Sequence, residues 1–63
     1  MNGHVTIEIN GEPYSGDYTV NGDMVQVTLN GTSREADIKH ARLLPVTRRL
    51  LRELVLAERH RVE

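Results

Sequence analysis

The segment VTIEINGEPYSGDYTVNGDMVQVTLNG, residues 5–31, decides the fold. Three Asn-Gly pairs punctuate it, at residues 10–11, 21–22 and 30–31, and apolar residues alternate with polar ones around each pair. Asn-Gly is the strongest short signal for a β-hairpin, because both central residues of a type I′ turn need positive φ. The segment therefore predicts an antiparallel β-meander.

The strands of this meander follow from the period-two repeat of apolar side chains. We predict strands at about residues 4–9, 14–20 and 23–29. In the second and third strands one face is apolar, and the other suits water and carries Ser15, Asp17, Thr19, Met24, Gln26 and Thr28.

The middle strand restricts the two turns beside it. A two-residue turn at the second Asn-Gly pair places Tyr18 opposite Val25. A two-residue turn at the first Asn-Gly pair would require the same residues of the middle strand to hydrogen-bond to both neighbouring strands. This is impossible, because the backbone groups of one residue point to one side only. We therefore predict a wider first turn, a four-residue loop over residues 9–12, or else a bulge near Gly16.

Residues 32–38 fit two local structures. The alternation of Thr32, Arg34, Ala36 and Ile38 fits the inner face of a fourth strand. Thr32 and Glu35 also have the spacing of a capping box that opens a helical turn. We favour the strand, because the third Asn-Gly pair resembles the first two.

The C-terminal part of the chain predicts an amphipathic helix. Pro45 suits a first helical turn, where its missing N–H has no partner to lose, and good helix formers follow it. We predict the helix at about residues 45–61. The chain is thus expected to be a single small α+β domain over residues 1–63, a three- to four-stranded antiparallel meander packed on one C-terminal helix.

Small size and composition favour self-association. A chain of 63 residues builds a marginal core, and it has no Cys for disulfides. Apolar residues fill about half of the helix circumference, which we interpret as more than one small sheet needs. We therefore predict a homodimer, or contact with another protein, through an edge strand or through a spare edge of the helix. The helix residues predicted for this interface are Leu51, Val55, Leu56 and Val62.

Charge suggests an alternative. Residues 1–37 carry six acids and one Arg, whereas residues 38–63 carry seven basic residues and three acids. The polar half of the helix contains Arg48, Arg49, Arg52 and Arg59, which could follow nucleic-acid phosphates. No aromatic residues interleave with them to stack on bases, so a solvated helix face is the preferred interpretation.

Catalytic, metal and membrane functions have no sequence signal. We find no nucleophile beside a base and no paired carboxylates on one face, so we predict neither an enzyme nor a cofactor. His4, His40 and His60 lack metal-ligand spacing and are predicted on the surface. Tyr14 and Tyr18 are predicted in the core. No secretory signal or long apolar run is present, which predicts a cytoplasmic protein without membrane contact.

Three short motifs carry a resemblance. They are Tyr-x-Gly-x-Tyr-x-Val at residues 14–20, Gly-x-Met-Val-x-Val at residues 22–27 and Arg-x-Leu-Leu-Arg-Glu-Leu at residues 48–54. The pattern resembles short bacterial proteins of unknown function. The resemblance implies the same meander and helix but no activity or site residue. The expected function is a small protein-interaction module, with nucleic-acid binding as the alternative.

Overall fold

A computed structural model of the chain describes residues 2–61, with side chains through residue 58. Its elements are β1 (Asn2–Ile9), β2 (Glu12–Asn21), β3 (Met24–Leu29), β4 (Thr32–Asp37) and α1 (Leu43–Arg61). The strands form one antiparallel sheet in the order β1-β2-β3-β4, and α1 packs against all four of them on one face. The predicted α+β meander with a C-terminal helix is confirmed.

The first turn is tight, so the predicted wide loop is wrong. Ile9 pairs with Glu12, which leaves two residues in the turn. These are Asn10 and Gly11, with φ of 53° and 84°, as a type I′ turn requires. Pairing between β1 and β2 continues from Ile9 to Asn2 without interruption, so the alternative of a bulge near Gly16 is also wrong.

The second turn resolves the pairing conflict instead. Asn21 pairs with Met24, so the two turn residues are Gly22 and Asp23 rather than Asn21 and Gly22. Gly22 has a φ of 64° at the first central position, as in a type II′ turn. The register is therefore two residues from the predicted one, with Tyr18 opposite Val27. A shift of two keeps every side chain on its face and moves the bonds to β3 onto the odd residues of β2.

The third turn opens the fourth strand. Asn30 and Gly31 have φ of 51° and 82°, and Leu29 pairs with Thr32. The predicted strand is confirmed, and the helical turn with a capping box is wrong. On the solvated face of the sheet, Ser33 and Thr28 share a hydrogen bond of 3.1 Å.

The core lies between α1 and the inner face of the sheet. Its buried side chains are Val5, Val25, Val27, Val46, Leu50, Leu51, Leu54 and Val55. Gly16 allows the closest approach, because a Cβ there would lie 2.9 Å from the Leu51 side chain and 3.0 Å from the carbonyl oxygen of Thr28. The absence of a side chain at Gly16 therefore lets Leu51 pack directly on β2.

The helix begins two residues before Pro45, at Leu43, so Pro45 lies in the first turn. The Val46 N–H bonds to the Arg42 carbonyl at 3.4 Å. Thr47 is fully buried, and its hydroxyl donates to the Leu44 carbonyl at 2.9 Å. This bond satisfies the one polar side chain buried in the described part of the core.

Candidate protein-interaction surface

The helix edge predicted for self-association is mostly occupied by the chain's own sheet. Leu51 is 0% exposed and Val55 is 2% exposed, because both pack into the core. Leu56 is 38% exposed. Val62 lies outside the described residues. Leu51 and Val55 therefore cover the four strands that α1 crosses and are not open to a partner, whereas Leu56 is.

Among the described residues, the large apolar side chains that remain exposed lie apart from one another. Leu44 and Leu56 are 49% and 38% exposed and lie on α1, twelve positions apart in the sequence. That separation corresponds to about 18 Å along a helix. Met24, 42% exposed, lies on β3 with its side chain among the polar residues of the sheet. These three side chains therefore do not form a continuous apolar patch.

One long edge of the sheet is open. The strand order leaves β1 without a neighbour on one side. Residues that flank a two-residue turn form a hydrogen-bonded pair, so Ile9 and the other odd residues of β1 bond to β2. The backbone N–H and C=O groups of the even residues therefore point outward. These residues are Asn2, His4, Thr6 and Glu8. Within residues 2–61, no other backbone group bonds to this edge.

The edge of β1 also has few of the features that usually protect an open strand. It is eight residues long and regularly paired, and it contains no Pro and no Lys. The opposite edge strand, β4, has six residues and carries three charged side chains, Arg34, Glu35 and Asp37. Short length and charge discourage pairing at an edge. β1 is therefore the edge better suited to accept another strand.

A groove runs between β1 and α1. It has a volume of about 260 Å³. Its lining residues are Ile7, Glu8, Ile9, Arg48, Arg49 and Arg52. Ile7 and Ile9 are half-buried and form its apolar floor, while the three arginines are exposed on the helix above. The predicted arginine face thus lies beside the open edge; the side chain of Arg59 is outside the described part of the chain.

The arginines of this groove differ in their pairing. Arg49 lies 4.0 Å from Glu53, which also accepts a hydrogen bond of 3.3 Å from Arg34 on β4. Arg48 and Arg52 form no ion pair with any residue in the described part of the chain. The groove therefore holds two cationic groups that have no carboxylate of the described residues within ion-pair distance, although Glu8 also lines it.

The solvated face of the sheet carries polar pairs across neighbouring strands. Nδ1 of His4 lies 2.6 Å from a carboxylate oxygen of Asp17, with the two side chains 84% and 72% exposed. The hydroxyls of Thr6 and Ser15 share a bond of 3.0 Å. Exposed pairs of this kind contribute little to stability. Among the described residues, no group of three or more potential ligands could hold a metal ion.

The two tyrosines pack at the border of the core. The Tyr14 hydroxyl donates to Glu12 at 3.2 Å, and the Tyr18 ring lies over Gly3, its partner on β1. Both rings are half-buried against the core cluster. They pack against the rest of the sheet, which agrees with the core role expected for them.

Within residues 2–61, no helix combines the length and the apolar character that crossing a membrane requires. No protein-family model, curated protein or solved structure matches the chain.

Sequence reasoning named an edge strand as one possible contact but did not identify β1 or the groove. The signal for β1 is present in the sequence, since residues 2–9 contain no Pro, no Lys and one acid. The groove has no such signal. It depends on where α1 crosses the sheet, which residue spacing alone does not define.

Proposed function

We propose that this protein is a small protein-interaction module that binds an extended segment of a partner as a fifth strand on β1. The observation that carries the proposal is the open, regular, eight-residue edge of β1. Strand addition draws its affinity from main-chain hydrogen bonds and its specificity from pockets for alternate side chains. The outward backbone groups of β1 supply the hydrogen bonds, and the groove between β1 and α1 supplies the pocket for side chains.

The geometry supports this surface better than the helix face predicted from the sequence. Leu51 and Val55 would have to leave the core to contact a partner, and Leu56 alone offers little apolar area. The edge of β1 needs no rearrangement, because its outward groups already have strand geometry. A preformed site of this kind avoids most of the ordering cost of binding.

Thr6→Pro tests the proposal, because the Thr6 N–H points to the open side. Proline there removes an outward donor and places its ring in the path of an added strand, without removing a bond to β2. Glu35→Pro is the matched control on β4, where the backbone N–H of Glu35 also points to the open side of its edge strand. Circular dichroism should show that both variants keep the fold.

The probe is a displayed library of random ten-residue peptides, selected against the natural protein. We expect enriched peptides to perturb the amide resonances of residues 2–9, to lose binding to Thr6→Pro and to keep binding to Glu35→Pro. Peptides that bind all three proteins equally, or a selection that enriches nothing, would contradict strand addition on β1.

A further inference from the structure

We infer that the segment received by β1 is acidic and belongs to another protein rather than to a second copy of this chain. The inference rests on the proposed strand addition and concerns what the groove beside β1 selects. Three features of the groove carry it: its unpaired arginines, its apolar floor and its position on the helix side of the sheet.

A strand added to β1 would direct every second side chain toward the helix. Those side chains would lie over Ile7 and Ile9 and beneath Arg48 and Arg52. Since neither of these arginines has a carboxylate partner among the described residues, acidic side chains at alternate positions would gain charge-assisted bonds there. Basic side chains would meet like charge. The side chains between them would face solvent beside His4 and Thr6.

A second copy pairing through its own β1 does not suit this groove. Symmetric antiparallel pairing of two β1 strands would extend the sheet and leave both helices on the same face, one on each side of the seam. The groove arginines of both copies would then approach the same seam from both sides. Like charges gathered in this way oppose association.

The β4 edge of a second copy does not suit the groove beside β1 either. Its helix-facing side chains are Thr32, Arg34 and Ala36, because Glu35 and Asp37 point to the solvated face. Pairing β4 with β1 would bring Arg34 toward Arg48 and Arg52. Neither edge of the chain itself therefore supplies the acids that the groove would select.

Nucleic acid fits the arginines but not the edge. Phosphates could contact Arg48 and Arg52, yet a nucleic-acid backbone has no alternating N–H and C=O groups to pair with β1. An acidic polypeptide strand satisfies the arginines and the open backbone groups together.

Three labelled eight-residue peptides test the inference by fluorescence anisotropy. They alternate valine with glutamate, glutamine or lysine, so they share strand propensity and differ in charge. We expect the glutamate peptide to bind most tightly and the lysine peptide most weakly. Raising the salt concentration should reduce this difference, because the arginines are exposed and are screened by ions.

Substitutions in the groove should affect the glutamate peptide selectively. We expect Arg48→Gln and Arg52→Gln each to weaken its binding by up to about fivefold, which is the upper range for an exposed ion pair. The glutamine peptide should be nearly unaffected. Lys39→Gln removes the same charge outside the groove and serves as the matched control.

The outcomes distinguish a failure of the acidic preference from a failure of strand addition on β1. Equal affinity for the three peptides, lost in Thr6→Pro, would overturn the acidic preference and leave strand addition standing. Binding that persists in Thr6→Pro, or no binding of any peptide, would overturn strand addition.

A labelled single-stranded 20-nucleotide DNA that binds more tightly than the glutamate peptide, and loses affinity in the arginine variants, would overturn the protein partner. Dimerisation by sedimentation, abolished by Thr6→Pro, would indicate a second copy instead.

Discussion

At the scale of single residues, Gly16 determines how closely the helix approaches the sheet. Its position opposite Val5 on the inner face brings the backbone of β2 under Leu51. A methyl group there would press on the flexible Leu51 side chain and on the rigid carbonyl of Thr28. The contact with the backbone is the harder one to relieve, since the sheet would have to move.

We expect Gly16→Ala to lower the free energy of unfolding by about 1–3 kcal/mol, the usual range for overpacking a core. Urea denaturation followed by circular dichroism measures it. Ser15→Ala, a neighbour on the solvated face, should change stability by no more than about 0.5 kcal/mol. Equal stability of Gly16→Ala and the natural protein would mean that the helix sits farther from β2 than described.

Burial also separates two neighbouring helix residues. The sequence placed Val55 and Leu56 together in the predicted interface. The structure places Val55 in the core at 2% exposure and Leu56 on the surface at 38%.

We therefore expect Val55→Glu to destabilise the fold by about 3 kcal/mol or more, because it buries a carboxylate without a partner. Leu56→Glu should change stability by no more than about 0.5 kcal/mol. Thermal unfolding of the two variants side by side measures the difference. Similar melting temperatures would contradict the described orientation of α1.

At the scale of elements, the hairpin turns fix the register of the sheet. Gly22 has a φ of 64°, which an L-residue with a side chain adopts only at a cost. We expect Gly22→Ala to destabilise the fold by about 1–2 kcal/mol. Asp23→Ala, in the same turn but with negative φ, should be nearly neutral. A larger loss of stability in Asp23→Ala than in Gly22→Ala would contradict a turn in which Gly22, and not Asp23, has positive φ.

Sequence patterns identified the elements but not all of their alignments. Alternation between the Asn-Gly pairs predicted the strands, and the need for each residue of β2 to bond to one side correctly excluded two identical adjacent turns. That constraint does not say which turn shifts. Asn-Gly favours the type I′ turn, and only the structure shows that the second turn uses Gly22 and Asp23 instead.

The candidate site was less predictable, for a related reason. The apolar width that a helix needs depends on the number of strands beneath it, and β4 was an open alternative at the level of sequence. With four strands, Leu51 and Val55 are needed inside. The groove arginines were predicted as a polar helix face, but their position beside β1 depends on the angle at which α1 crosses the sheet.

At the scale of the whole molecule, the sheet has two edges of different character. β1 is long and carries few charges, whereas β4 is short and charged. One face is covered by α1 and the other is polar, so the edge of β1 is the surface on which backbone groups and a groove meet. Strand addition on β1 depends on that asymmetry.

The sharpest test of strand addition on β1 is amide chemical-shift mapping by NMR during titration with the alternating valine and glutamate peptide. Strand addition on β1 predicts that the largest changes fall within residues 2–9, with slower hydrogen exchange at the outward amides of His4, Thr6 and Glu8, and that Thr6→Pro abolishes both effects. Changes centred on β4 or on the solvated face of the sheet, or exchange rates at β1 that the peptide leaves unaltered, would contradict it.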